Sequence, residues 1–239
     1  MPGPFVQSQA PPPDAIPSPP FVTGPRVEPH VYGEEIVVRG SFTPNDFHPR
    51  FLREAGLLDA TAAERAEQDL LATGDIVAFS AGWVSVLVDR EACIASTAAL
   101  TTHQSLADFV VGLAAHSPNV PVQSCGFNFI GQFAVTPSLR SQVRDRLVGD
   151  RWTFLAQPHL NAIDVGSDRS DGFEGSINVR VEPSQQVRGG VFVLVNDHHR
   201  LATEGQSVEA RAVAERLAIG WDAARDRAFA IFEELLPSE

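Results

Sequence analysis

The chain contains no lysine; all 18 of its basic residues are arginine. Without a lysine amine there is no Schiff-base chemistry, no anchor for pyridoxal phosphate and no P-loop lysine for a nucleotide's phosphates. A GC-rich coding sequence explains the bias, in keeping with the heavy use of Ala, Gly, Pro and Arg, and the exclusions hold regardless. Cysteine is almost missing as well. Cys93 and Cys125 cannot build a disulfide framework, and no CxxC spacing offers a zinc site. No apolar run approaches the roughly 20 residues of a membrane-spanning helix. The N-terminus lacks the basic and apolar regions of a signal peptide, so a cytoplasmic protein is expected. GxSxG, GxGxxG and Walker sequences are missing too, which disfavours an enzyme; no cofactor is expected.

What is present points to a packed, acidic protein. Apolar residues make up 44% of the 239 positions, ample for a core. The formal net charge of −12 repels phosphate backbones and anionic membrane surfaces, so nucleic acid is disfavoured as the main partner and a membrane is not expected.

Proline divides the chain. Ten of the 18 prolines fall in residues 1–30, a composition that favours extended polyproline geometry and cannot build a core. Phe5, Ile16 and Phe21 are spaced among them and are the candidate partner-binding anchors of an arm spanning residues 1–33. A protein partner or a second copy of the chain is expected.

From Glu34 the pattern becomes regular. Residues 35–42 read as a strand and His48-Pro49 opens a short helix. Thr61-Ala-Ala-Glu64 reads as a capping box, and Asp75–Ser80, Trp83–Val88 and Ala92–Ser96 as an antiparallel meander. Leu106, Phe109, Val110 and Leu113 then mark a helix face. The order repeats: a strand over Val120–Val135, a helix over Leu139–Leu147, strands over Leu160–Val165, Phe173–Val181 and Val191–His198, and a helix over Ser207–Leu235. The expected fold is α+β, a two-layer sandwich on a mainly antiparallel sheet. Residues 34–119 and 120–236 would be duplicated halves of one domain, each strand, helix, three strands, helix. That order resembles the duplicated fold of TATA-binding-protein-like domains with one strand fewer per half, an analogy of fold that carries no function.

Gly40-Ser-Phe42-Thr-Pro44, Phe47-His48-Pro49, Gly56-Leu-Leu58, Gly126-Phe-Asn128, Val181-Glu-Pro183-Ser184, Gly190-Val-Phe192 and Val195-Asn-Asp197-His198 resemble landmarks of a family of uncharacterised bacterial proteins of similar length. The resemblance excludes the proline arm and implies no activity. Where that family favours an aromatic after Asn-Asp-His, this chain has His199.

Asn196-Asp197-His198-His199 is the main candidate for chemistry. Strand alternation sends Asp197 and His199 to one face, where they could share a metal with Glu174 or Asp171, and His198 to the other, where acid–base work is possible. The plainer reading is a turn with surface histidines. Asp164, Asp168, Arg169 and Asp171 surround a glycine-containing loop and read as an ordinary turn. Asn128 and Gln132, on the polar side of a Phe-rich strand, could bind a ligand or satisfy polar neighbours across strands. Arg140, Arg144, Arg146 and Arg151 form the main basic concentration, with interleaved acids that suit a solvated helix face. Three functions follow in order: a non-enzymatic interaction or assembly subunit; a metal-dependent hydrolase or nuclease using Asp197, His198 and His199; and a binder of RNA or an acidic partner.

Overall fold

The computed structural model describes residues 28–148 and 161–236; Phe5, Ile16 and Phe21 of the proline arm lie outside the described residues, as does Arg151. The first half runs β1 (Val31–Gly40), α1 (Pro49–Glu54), α2 (Ala60–Gln68), β2 (Leu71–Ala72), β3 (Ile76–Ser80), β4 (Ser85–Asp89), β5 (Ala92–Thr97) and α3 (His103–His116). The second runs β6 (Pro121–Phe133), α4 (Pro137–Val148), β7 (Ile163–Asp168), β8 (Gly175–Pro183), β9 (Val191–Arg200), β10 (Val208–Glu209) and α5 (Arg211–Leu235). The protein is thus α+β; the described residues form five α-helices and one open antiparallel sheet of ten strands in the order β2-β3-β4-β5-β1-β6-β9-β8-β7, β10 pairing with the end of β6. Outward from the central pair β1 and β6, the two sides read β5, β4, β3 and β9, β8, β7.

Period-two alternation decides what each face carries. In β1 the buried set is Tyr32, Glu34, Ile36 and Val38; in β9 it is Val191, Val193, Val195, Asp197 and His199. Helices α3 and α5 pack on this face. Trp221 of α5 meets Phe127 and Phe129 of β6, Phe232 meets Phe133, and Phe229 meets Tyr32. Helix α5 buries Val213, Leu217, Trp221, Ala224, Ala228 and Phe232, the steps of three and four expected of a helix lying on a sheet. The alternate residues, among them Val37, Leu87, Ile94, Ile130, Phe192 and Leu194, are half-buried on the opposite face.

Three local expectations change. Helix α2 starts two residues earlier than the capping box implies, because Asp59 is the cap and its carboxylate accepts from the Ala62 amide at 2.7 Å. The last helix begins at Arg211 rather than Ser207, since Val208 and Glu209 pair with Val122 and Pro121 of β6. Trp83 lies before β4, in the turn that Ala81 and Val84 close by a backbone hydrogen bond.

Candidate functional site

Asp197 and His199 lie on the helix-covered face as alternation requires, both fully buried, with His199 Nε2 3.1 Å from Asp197 Oδ1. The β7–β8 hairpin brings Arg169, Asp171 and Phe173 against them. Gly175 makes that approach possible: its φ is +137° and a Cβ there would stand 2.0 Å from the His198 carbonyl oxygen. Arg169 contacts Asp197 Oδ1 and pairs through Nε with Asp171 at 3.0 Å. Arg227 of α5 contacts the other Asp197 oxygen and lies 3.5 Å from Asp171. Arg216, about three turns earlier on α5, lies 3.9 Å above the Phe173 ring.

The electrostatics follow from this census. Burial and the guanidinium groups of Arg169, Arg216 and Arg227 push His199 down to about 3, so the ring is neutral at ordinary pH. Burial lowers Arg227 as well, reinforced by Arg169. Asp171 ends below the usual carboxylate range: burial pushes it up, but the hydrogen bonds from Arg169 outweigh that. A cation sharing Asp197 and His199 would have to displace two arginines from both carboxylate oxygens. Among the described residues no three His, Cys, Asp or Glu side chains gather in a way that could hold a metal ion. The pair expected to bind metal is therefore close together but already engaged by guanidinium groups.

A second buried cluster lies under α3 and α5 on the β1 side. Glu34 has no exposed surface and accepts from Tyr32 Oη at 2.6 Å; both its oxygens lie 3.0 Å from His103 Nδ1. His103 Nε2 is 3.1 Å from Asp222, and Arg225 Nε is 3.3 Å from Glu34. The His103 ring stacks on Trp221 at 4.6 Å, and the Trp221 indole N–H donates to the His103 carbonyl at 3.1 Å. Burial, and then the Glu34 charge, raise the Tyr32 phenol well above its ordinary value. The sequence contains the signal for this cluster. With Tyr32, Ile36 and Val38 facing inward, alternation forces the carboxylate of Glu34 inward too.

The opposite face carries the remaining candidates. Register places Glu35, Asn128, Asn196 and Asn178 side by side on β1, β6, β9 and β8. Asn128 donates to Glu35 at 2.6 Å, Asn196 to Asn128 at 2.5 Å, and Asn178 to Asn196 at 3.3 Å. Ser96 and Ser85 continue the row on the other side of Glu35. Gln132 is buried and accepts from Ser184 Oγ at 2.7 Å, so Asn128 and Gln132 have separate partners. Beside the row, Glu35, Leu71, Ser85, Leu87, Ile94 and Ser96 line a groove of about 490 Å³. His198 faces this side; burial, then His199 and Arg200, lower its pKa.

The other motifs are accounted for locally. Arg144 pairs with Asp145 at 2.6 Å and Arg146 donates to the Glu234 carbonyl at 2.7 Å, as a solvated helix face should. Cys93 and Cys125 are buried and burial pushes each thiol up to about 12, which makes them core residues rather than nucleophiles. No helix is long and apolar enough to cross a membrane among the described residues. No known family model matches the chain, and no curated protein matches it either.

Proposed function

We propose that the chain is a non-enzymatic interaction or assembly subunit, and that the sheet face opposite α3 and α5, which carries no helix among the described residues, is the surface that meets the partner. The observation carrying this reading is the make-up of that face. Half-buried Val37, Leu87, Ile94, Ile130, Phe192 and Leu194 flank a hydrogen-bonded amide row, on a protein whose charge is −12. Such a face offers apolar area and preformed polar contacts. The fold itself reads best as a two-layer sandwich of duplicated halves, because strand order is the same outward from β1 and from β6. Residues 1–27 fit the same function: a proline-rich segment loses less entropy on docking, and Phe5, Ile16 and Phe21 can serve as anchors.

The test is the mass of the full chain in solution by sedimentation and native mass spectrometry, across micromolar concentrations. Assembly into a defined oligomer is expected. It should weaken on deleting residues 1–27 and weaken further with Leu194→Arg on the open face. A monomeric full chain, or an oligomer indifferent to both changes, overturns the reading.

The metal-dependent hydrolase alternative requires Asp197 and His199 to release Arg169 and Arg227. Stoichiometric metal in the purified protein that vanishes in His199→Ala would be needed to revive it. A binder of RNA or an acidic partner would need free arginines on α4, where Arg144 and Arg146 are already engaged.

A further inference from the structure

Among the described residues, the Asp197 cluster leaves one cation unanswered. Three guanidinium groups, from Arg169, Arg216 and Arg227, converge near two carboxylates, Asp171 and Asp197. Arg169 and Arg227 take both carboxylates between them. Arg216 lies over the face of Phe173, and its Nε and Nη1 are buried with no hydrogen-bond partner among the described residues. His199 Nδ1, on the histidine whose charge Arg216 suppresses, is buried without a partner too. Unpaired guanidinium donors are costly to bury, and an arginine fork matches an oxyanion in shape and charge. The cluster is not sealed, for the side chains of Asp171 and Arg227 retain 35% and 29% exposure.

We propose that Arg216, backed by Arg169 and Arg227, binds an oxyanion head group, phosphate or carboxylate, at the mouth between α5 and the β7–β8 hairpin. The ligand supplies the acceptors that Nε and Nη1 lack and balances the surplus positive charge. Asp171 and Asp197 hold the other two arginines in place and keep the site from drawing more than one anionic group. This site lies on the helix-covered face, opposite the proposed docking surface. It therefore stands or falls independently of the assembly reading.

The experiment titrates the full chain with sodium phosphate or sodium acetate against sodium chloride at matched ionic strength. It follows thermal stability and the NMR shift of the Arg216 Nε–H. A saturable rise in melting temperature, with a matching Arg216 shift, is expected in one of the two arms, and that arm names phosphate or carboxylate as the group. Arg216→Gln should weaken the response at least about tenfold. Arg144→Gln, on exposed α4, should leave it unchanged. Equal responses from the wild type and Arg216→Gln, or no saturable response in either arm, overturn the proposal. Should Arg216→Gln fail to fold, the wild-type Nε–H signal decides: a saturable shift supports the site and an unmoved signal rejects it.

Discussion

Two buried histidines lie between the sheet and its helices, His103 at the start of α3 over β1 and His199 on β9, and their surroundings are opposite. His103 places a carboxylate at each ring nitrogen, Glu34 at 3.0 Å and Asp222 at 3.1 Å. His199 is hemmed in by three arginines and pushed down to about 3. The two are also physically linked: the His103 ring stacks on Trp221, Trp221 meets Phe127 edge-on at 5.3 Å, and Phe127 packs on His199 at 4.8 Å. An aromatic wall thus separates an acid-rich pocket from an arginine-rich one. The lesson is that residue type alone does not assign a role to a buried histidine. Its neighbours' charges do, and these come from distant parts of the chain.

The strongest test of this partition removes the wall. Trp221 is 2% exposed and touches both sides, so Trp221→Ala should cost about 3–5 kcal/mol in urea unfolding. It should also make changes at Glu34 and Asp197 non-additive, which a double-mutant cycle reads directly. A loss under about 1 kcal/mol, the size of a surface change, would show that the two pockets are not held apart by this residue.

The next effect compares the carboxylates. Asp197→Asn takes one of two carboxylates from Arg169, whose side chain is 2% exposed, and should cost about 3 kcal/mol or more. Glu34→Gln should cost less, roughly 1–2 kcal/mol, because His103 keeps Asp222 and Arg225 reaches solvent with 26% of its side chain exposed. The reverse ranking in equilibrium unfolding would break the comparison.

Acidity sharpens it further. The folded pKa of His199, about 3, lies below its ordinary 6.5, so the unfolded chain takes up a proton that the native protein refuses. Stability from this group is fully present above about 6.5 and is lost as pH falls toward 3, by at most about 1.4 kcal/mol per pH unit. His199→Gln should flatten that slope between pH 6.5 and 4 in urea midpoints. An unchanged slope would mean that burial and the arginines do not hold the ring neutral.

Much of the scaffold was legible from the chain, and the reason is periodicity. Two-residue alternation in Val191–Arg200 announces which residues face inward, and steps of three and four announce Leu217, Trp221, Ala224 and Ala228. The pairing of Asp197 with His199 was legible for the same reason. Their arginines were not: Arg169 lies on a hairpin read as a plain acidic turn, and Arg216 and Arg227 lie on a helix whose rotation over β9 no local pattern records. Alternation with Tyr32, Ile36 and Val38 makes the inward turn of Glu34 legible too, but no local pattern names His103 and Arg225 as its partners.

The smallest effect belongs to the open face, where polarity is arranged as a row rather than a pocket. Asn128 sits in the middle, donating to Glu35 at 2.6 Å while accepting from Asn196 at 2.5 Å. Asn178 sits at the end, exposed and making a longer 3.3 Å bond. Each amide orients the next, and the chain of dipoles terminates on the Glu35 carboxylate, so the links nearest that charge should be the strongest. Asn128→Ala should therefore cost about 1–1.5 kcal/mol and Asn178→Ala within about 0.5 kcal/mol in unfolding. If this face meets a partner, Asn178→Ala should nonetheless weaken assembly measurably while leaving the monomer's stability alone. Equal stability losses at the two positions would mean that the asparagines act as separate surface residues. Their alignment across four strands would then carry no cooperative contribution.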